Sequence, residues 1–256
     1  MRKAVTEFAV TRNCRLNDTQ HLLELQAPDQ ILPVSAGQFV NVEIPGNREV
    51  FLRRPFSVLN VDRINNRLSL LVKILGKGSL TLSEIRSGEL LNLVYPLGKG
   101  FTLPGKNEKV LAVGGGSGVA PLLFLAREAG LKPDQMKVLM GARTAEDHIP
   151  VDGYTSCAEF YFTTEDGSRG EKGLVIHHSL FADLTRFNRI YACGPLPMMK
   201  AVAGLAAAHQ IFCEVSLENL MACGFGVCLC CIEPTVKGNL CVCTEGPVFN
   251  IKELKW

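Results

Sequence analysis

Residues 109–121 read KVLAVGGGSGVAP, and this stretch decides the fold of the middle of the chain. An apolar strand over residues 109–113 enters a turn of glycines, and a helix is predicted over residues 119–129, ended by Gly130. Strand, glycine turn and helix in this order are typical of the turn that binds nucleotide phosphates in an open α/β sheet. We therefore predict a nucleotide site at Gly114, Gly115, Gly116, Gly118 and Pro121.

The predicted nucleotide turn departs from the common dinucleotide fingerprint, which has a third glycine where this chain has Pro121. A proline suits the first turn of a helix, because the N–H that it lacks has no partner there. The turn therefore still suits a phosphate group, while a tight turn without a ligand remains the alternative.

Strands and helices continue to alternate after this turn, which predicts a parallel sheet. A helix is expected over residues 198–209, and the further strands are expected over residues 137–140, 159–162, 189–193 and 212–215. The polar and glycine-rich residues 163–173 are expected to form a loop at the ligand edge of this sheet, where they could hold an adenosine ribose.

Cys193, Gly194 and Pro195 follow a predicted strand, so they should lie at the same carboxyl edge of the sheet. A thiol at this edge could face a nicotinamide, which makes Cys193 the candidate catalytic residue. A small buried side chain is the alternative interpretation of Cys193.

Residues 1–102 alternate apolar and polar side chains in six short runs separated by turn residues, which predicts a closed antiparallel barrel. One short helix is predicted over residues 80–86, with Ser79 or a neighbour as its N-cap. The six strands are expected near residues 7–11, 21–25, 38–44, 56–59, 67–74 and 90–94.

Two motifs in the predicted barrel suggest binding chemistry. In the run from Arg53 to Ser57, an arginine offers a planar fork to a pyrophosphate, and the Ser57 hydroxyl could bond the edge of a flavin ring. The run from Gly76 to Ser79 precedes the predicted helix, where backbone N–H groups can face an anion. A surface arginine pair and a plain tight turn are the respective alternatives.

Six of the ten cysteines fall between residues 223 and 243, in the runs MACGFGVCLCCIEP and NLCVC. Cys223, Cys228 and Cys231 have the plant-type [2Fe-2S] spacing, which is completed by one distant cysteine, here Cys241 or Cys243. The alternative is a zinc site with four cysteine ligands, namely Cys228, Cys231, Cys241 and Cys243. This set leaves Cys223 without a role. No export signal is visible, so we expect reduced thiols and a metal site rather than disulfides.

Composition argues against two classes of partner. The formal net charge of +2 and the sparse aromatic residues give no signature of nucleic-acid binding. The longest uncharged run, residues 110–126, contains four glycines and a proline and is shorter than the ~20 residues of a membrane-spanning helix. We therefore expect a soluble, cytoplasmic protein without a nucleic-acid or membrane partner.

Together, the motifs at Arg54 to Ser57, Gly76 to Ser79, Gly114 to Pro121 and Cys193 to Pro195 resemble those of the ferredoxin-NADP reductase superfamily. With the cysteine tail, the whole chain is similar to the electron transfer subunits of class-B dihydroorotate dehydrogenases. In that family Met-x-Cys-Gly-x-Gly-x-Cys-x-x-Cys precedes Cys-x-x-Gly-Pro-Val-Phe, matched here by residues 221–231 and 243–249. Two departures are Ser79, where threonine is frequent, and the additional cysteines Cys230 and Cys241.

This resemblance implies an α+β and α/β fold in three parts. They are an antiparallel FAD-binding β-barrel over residues 1–102, a parallel-sheet NAD-binding domain over 103–213 and a small [2Fe-2S] module over 214–256. The implied FAD site comprises Arg54, Pro55, Phe56, Ser57, Leu71, Val72, Lys73, Gly78 and Ser79. The implied NAD site comprises the glycine turn with Gly194 and Pro195, and the implied cluster ligands are Cys223, Cys228, Cys231 and Cys243.

The resemblance also implies a function in pyrimidine biosynthesis. Electrons would pass between NAD, FAD, the [2Fe-2S] cluster and an FMN-containing catalytic subunit, in a heterotetramer with two copies of each chain. One alternative is a related reductase that passes electrons to a ferredoxin, a hydrogenase or a sulfur reductase. Another is a nucleotide-sensing protein whose cysteine-rich tail is held together by zinc. Arg143 and Arg169 would favour NADP, Glu165 and Asp166 would favour NAD, and the resemblance favours NAD.

Overall fold

Six antiparallel strands close into a barrel at the N-terminal end of the chain, as the alternating pattern predicts. The computed structural model describes residues 2–46 and 49–256. The barrel order is β1-β2-β5-β4-β3-β6. In chain order the strands are β1 (Ala4–Arg15), β2 (Gln20–Gln26), β3 (Phe39–Val42), β4 (Arg54–Asp62), β5 (Arg67–Lys73) and, after a helix, β6 (Leu90–Leu97). The apolar side of each strand fills the barrel with side chains such as Phe8, Leu23, Leu70 and Leu93, all fully buried.

The helix between β5 and β6, α1 (Lys77–Glu84), begins three residues before the predicted start at residue 80. Ser79 is therefore not the N-cap and lies inside the first turn. Its hydroxyl accepts hydrogen bonds from the N–H groups of Leu75 (2.8 Å) and Gly76 (3.1 Å), so it satisfies donors that precede the helix. The apolar pattern missed this turn because Lys77, Gly78 and Ser79 carry no apolar side chain.

A parallel sheet follows, with strand order β10-β9-β8-β7-β11-β12 and helices packed on it. Residues 110–113 of its first strand are fully buried, as expected for a central strand of a sheet covered on both faces. The elements in chain order are β7 (Val110–Gly115), α2 (Val119–Ala129), β8 (Met136–Ala142), β9 (Glu159–Thr164), β10 (Glu171–Lys172), β11 (Arg189–Cys193), α3 (Leu196–Ala208) and β12 (Phe212–Ser216).

The prediction of a loop over residues 163–173 is partly wrong, because both ends of this segment belong to the sheet. Thr163 and Thr164 end β9 and are buried, and the short strand β10 returns to pair with them. The Thr163 hydroxyl donates to the carbonyls of Glu171 (2.7 Å) and Gly173 (2.8 Å). Hydrogen bonding of their side chains to the backbone thus allows Thr163 and Thr164 to be buried, while residues 165–170 are exposed.

The cysteine-rich region ends in a strand that returns to the parallel sheet. A hairpin, β13 (Ile232–Thr235) and β14 (Gly238–Cys241), leads into a short helix, α4 (Val242–Glu245), and then into β15 (Val248–Asn250). Strand β15 pairs antiparallel with β12, with Phe249 opposite Val215. Both ends of the cysteine-rich segment are therefore attached to the same sheet, and the predicted domain boundary after residue 213 falls inside β12.

One apolar cluster joins the three regions of the chain. It includes Phe39 and Leu97 from the barrel, Val113 from the sheet, and Val242 and Cys243 from the cysteine-rich region. The cysteines consequently lie at the junction of barrel and sheet. None of the helices formed by the described residues combines the length and apolarity needed to cross a bilayer.

Candidate active site and metal centre

A cleft of about 710 Å³ lies between the barrel and the carboxyl edge of the parallel sheet. The barrel contributes Gln20 and Lys73, which pair across β2 and β5. Gln20 also joins the two halves, because its Nε2 donates to the carbonyl of Asp147 at 2.8 Å. The sheet side contributes residues from five of its strand ends, among them Gly115, Gly116, Ser117, Arg143, Glu165, Pro195 and Glu218.

The glycine turn and the Cys193–Gly194 peptide approach each other too closely for side chains. A Cβ on Gly118 would lie 2.5 Å from the Cys193 carbonyl oxygen. Gly194 has a φ of +145°, and a Cβ there would lie 2.9 Å from the Gly115 nitrogen. The glycine turn after β7 and the end of β11 therefore contact each other through backbone atoms, beside the wall of the cleft. Pro121 lies in the first turn of α2 and is buried, so it shapes the helix start and does not line the cleft.

Lys73 projects from the barrel towards the glycine turn. A Cβ placed on Gly116 would lie 3.7 Å from Lys73 Nζ, and Glu218 is close enough for the lysine charge to lower the pKa of its carboxyl group. Burial in the cleft acts in the opposite direction and is stronger, so the pKa of Glu218 is raised overall. Lys73 and Glu218 therefore both lie in the cleft near the predicted phosphate turn.

Cys193, the predicted catalytic thiol, is 1% exposed. Its Sγ lies 3.8 Å from Glu218 Oε1, and burial together with this carboxylate raises the pKa of the thiol well above its ordinary value. Cys193 is therefore a neutral thiol at neutral pH. Sequence reasoning missed Glu218, although it follows β12 at the ligand edge and this position could have identified it.

The predicted flavin motifs converge on one side of the barrel. The ladder between β4 and β5 runs from Val58↔Leu70 to Asp62↔Arg67, and the strands part beyond it. Ser57 on β4 and residues 71–73 on β5 therefore face a gap between two strand edges. Leu71 and Val72 have buried side chains, so they could contact a ligand there only through their backbone.

Arg54 and the N-terminus of α1 also lie together, as the sequence predicts for a pyrophosphate site. A Cβ on Gly78 would lie 3.4 Å from Arg54 Nε. The Arg54 guanidinium is held by a bond of 2.9 Å from Nη1 to the Leu52 carbonyl. Backbone N–H groups of a helix N-terminus and an arginine fork side by side suit a diphosphate.

Several backbone N–H groups point at cysteine sulfurs in the C-terminal region. Cys223 Sγ accepts from the N–H groups of Phe225 (3.3 Å) and Cys228 (3.5 Å), and Cys243 Sγ accepts from Gly226 (3.1 Å). Although burial acts to raise it, these backbone donors lower the pKa of Cys223 to about 6. The donor set thus favours thiolates, which are the form that binds iron.

Two of the predicted ligands are enclosed and one is open to solvent. Cys231 and Cys243 are buried, Cys223 is half-buried and Cys228 is exposed. Burial, with the neighbouring Cys231 thiol, raises the pKa of Cys243 to about 12. Gly224 (φ +78°) and Gly226 (φ +79°) turn the loop between the ligands in a backbone conformation that favours glycine.

Within residues 2–46 and 49–256, no three ligand side chains converge as they would around a single metal ion. A [2Fe-2S] cluster does not require this, because its four cysteines are shared between two irons. Buried thiols beside an open one, with N–H donors to the sulfurs, fit such a cluster.

The cysteine loop packs directly on the barrel, next to β4, the strand that carries the predicted flavin motif. Asn41 of β3, which is 1% exposed, donates from Nδ2 to the Cys223 carbonyl at 3.4 Å. On its other side Asn41 pairs with Pro55 of β4. Sequence reasoning missed Asn41, and a single polar residue in a strand gave no signal that could have identified it.

Two of the four residues considered for nucleotide selection face the cleft, namely Arg143 and Glu165. Arg169 stacks on the Phe162 ring, with its Cζ 3.6 Å from the ring centroid. Asp166 accepts hydrogen bonds from the hydroxyl and the N–H of Ser168.

Three family models match consecutive parts of the chain. Residues 9–101 match an oxidoreductase FAD-binding domain and residues 112–204 an oxidoreductase NAD-binding domain. Residues 218–255 match the iron-sulfur cluster binding domain of dihydroorotate dehydrogenase B. The fold and the site therefore define an NAD-linked flavin oxidoreductase with an iron-sulfur domain.

Relatives identify the family more narrowly. The chain is 38% identical over 243 residues to an electron transfer subunit of dihydroorotate dehydrogenase B (NAD(+)) from Desulforamulus reducens, covering 92% of each chain. The corresponding subunit of Lysinibacillus sphaericus is 34% identical and is matched over 84% of this chain and 85% of its own length. The chain belongs to the family of dihydroorotate dehydrogenase B electron transfer subunits.

Solved structures agree with the fold. An NADH-dependent reduced ferredoxin-NADP oxidoreductase, studied for electron bifurcation, superposes with a TM-score of 0.85 at 27% identity, covering 99% of this chain and 90% of that one. The ferredoxin reductase of carbazole 1,9a-dioxygenase has a TM-score of 0.70 at 23% identity, over 82% and 67% of the two chains, and is similar in fold.

Proposed function

We propose that this chain exchanges electrons between NAD and an FMN-containing dihydroorotate dehydrogenase catalytic subunit, within a cytoplasmic heterotetramer of two copies of each chain. One observation carries the proposal. The NAD cleft borders β5, the flavin motif lies on β4 and the cysteine loop rests on β3, and these three strands are neighbours in the barrel. A bound flavin would supply the exchange between two-electron nicotinamide chemistry and one-electron cluster chemistry.

The flavin would be held by residues on both sides of the gap between β4 and β5. The Arg54 fork and the N–H groups around Gly78 and Ser79 would bind its diphosphate, and the Ser57 hydroxyl would bond the edge of its ring. Pro55, Phe56, Leu71 and Val72 would line the gap. Lys73 would lie at the boundary between the flavin site and the NAD cleft.

The nicotinamide nucleotide would lie along the carboxyl edge of the sheet. The bare backbone at the glycine turn and at Gly194 and Pro195 would admit its diphosphate and nicotinamide. Cys193 would form the floor under the nicotinamide as a neutral thiol. Arg143 and Glu165 both face the cleft, so the proposed preference for NAD rests on the relatives, whose names specify NAD(+).

The proposed ligands of the cluster are Cys223, Cys228, Cys231 and Cys243. Around this loop, four apolar side chains are exposed, namely Leu220, Phe225, Val227 and Leu229. Such a patch is typical of a protein interface, so we place the catalytic subunit here. The names of the relatives, which describe electron transfer subunits, support a protein as the partner.

The test replaces Cys228 in the chain co-expressed with its catalytic subunit. Cys228→Ser should remove most of the visible absorbance of the cluster, while the matched control Cys230→Ser should keep it. Both variants should retain FAD and show bleaching of the flavin band by NADH faster than by NADPH. An unchanged cluster spectrum in Cys228→Ser would contradict the ligand assignment, and equal rates with NADPH would contradict the NAD preference.

A second candidate is a related reductase that delivers electrons to a ferredoxin. The structural likeness to the NADH-dependent ferredoxin-NADP oxidoreductase, which spans nearly the whole chain, favours it. Co-purification separates the two, because only the first requires a stable FMN-containing partner that oxidises dihydroorotate.

A further inference from the structure

Two of the six C-terminal cysteines have no place in the proposed ligand set, and their surroundings differ. Cys230 is exposed. Cys241 is half-buried and is the last residue of β14, paired with Ile232 at the open end of the hairpin. This pairing puts Cys241 beside Cys231, which immediately precedes Ile232.

Cys241 faces the same loop as Cys243. The Gly226 N–H donates to Cys243 Sγ at 3.1 Å, and the Gly226 carbonyl accepts from Cys241 Sγ at 3.9 Å. The two sulfurs thus lie against opposite ends of one residue in the loop that carries Cys223 and Cys228.

Cys231 lies next to Cys241, because the Cys231 carbonyl accepts a hydrogen bond of 2.9 Å from the N–H of Val242, the residue that follows Cys241. Cys231 also lies next to Cys243, whose N–H donates to Cys231 Sγ at 3.4 Å. Cys231 therefore stands between two possible fourth ligands.

We propose that the fourth ligand of the cluster is duplicated, with Cys243 as the resident ligand and Cys241 as a spare thiol that coordinates iron when Cys243 is absent. This inference rests on the proposed cluster site. Cys243 is the resident ligand because it is fully buried and already receives a backbone N–H donor. Cys241 needs only to exchange its contact with the Gly226 carbonyl for a bond to iron.

The first test compares single and double alanine variants of the full chain. Cys241→Ala and the control Cys230→Ala should match the wild type in iron, labile sulfide and EPR spectrum. Cys243→Ala should retain about half or more of the iron with a shifted EPR spectrum, and the double variant should retain roughly a tenth or less. Bound FAD reports in every variant whether the barrel is folded, and Cys243→Val provides a second version that refills the buried position.

The second measurement uses only a variant that keeps the resident ligand. If Cys241 recaptures iron, Cys241→Ala should lose its cluster to a chelator several-fold faster than the wild type or Cys230→Ala. Equal rates of loss would overturn the proposal. It would equally be overturned by a Cys243 variant that keeps FAD but holds no more iron than the double variant, or by Cys241→Ala losing its cluster during purification. A wild type without iron would instead contradict the proposed function.

Discussion

His148 shows how one buried side chain can set the response of this protein to acid. The side chain is 7% exposed and its ring packs edge-on against Phe162. Burial, followed by the charge of Arg169, lowers its pKa from 6.5 to about 4. The unfolded chain therefore binds a proton at a pH where the folded chain does not, so the stability contributed by neutral His148 is complete above pH 6.5 and is lost as the pH falls towards 4.

We expect the free energy of unfolding to fall by about 2 kcal/mol between pH 7.5 and pH 5.0 because of this group alone. His148→Phe keeps an aromatic ring against Phe162 and should remove that part of the pH dependence. Urea denaturation of both proteins at the two pH values measures the difference. Identical pH dependence in the two proteins would show that His148 does not titrate in this way.

At the scale of secondary-structure elements, the contact between the turn after β7 and the end of β11 shapes the proposed NAD cleft. A methyl group at Gly118 would meet the Cys193 carbonyl at 2.5 Å, so one of the two backbone segments must move. Gly118→Ala should therefore weaken NADH binding about tenfold or more, because the phosphate turn is displaced. FAD and iron content should stay unchanged, since neither site includes this turn.

Gly204→Ala is the matched control, because Gly204 lies inside α3 and an added Cβ would have no atom within 4 Å beyond the adjoining helix backbone. It should stabilise the protein slightly, by roughly 0.5–1 kcal/mol, and leave NADH affinity as it is. Titration of both variants with NADH, followed by quenching of flavin fluorescence, measures the effect. Equal affinities for Gly118→Ala and the wild type would contradict the assigned phosphate turn.

At the same scale, the sequence predicted most elements and fewer of their contacts. The barrel strands, β7 to β9, β11, β12 and α2 follow from apolar periodicity and glycine turns, because burial of one or both strand faces leaves a local pattern. The start of α1, the interior position of Thr163 and the pairing of β15 with β12 depend on hydrogen bonds between residues that no periodic pattern connects. Asn41 belongs to the same class, since its partner Cys223 lies far away in the sequence.

In the whole molecule, the strand β15 joins the cysteine region to the sheet by pairing with β12. Phe249 is 2% exposed and packs in the cluster that also contains Val242 and Cys243. Phe249→Ala should destabilise the protein by about 3–5 kcal/mol. Because the same packing holds Cys243, iron content should fall together with stability.

Urea denaturation of Phe249→Ala, followed by cluster absorbance and by protein circular dichroism, should show both signals shifting to lower urea together. Phe51→Ala is the control, because Phe51 is 87% exposed and should change stability by less than about 0.5 kcal/mol. A variant that loses stability while its cluster signal keeps the wild-type midpoint would show that β15 does not support the ligands.

The return of β15 to the sheet has a consequence for the order in which the molecule is made. The barrel precedes the cysteines along the chain and all six of its strands are present by Leu97, so a flavin pocket can exist while the ribosome is still working. The cysteines follow the barrel along the chain, and β15, the strand that fixes them, comes after them. Maturation should therefore proceed from flavin to metal, because the cluster site is complete only when β15 has joined the sheet.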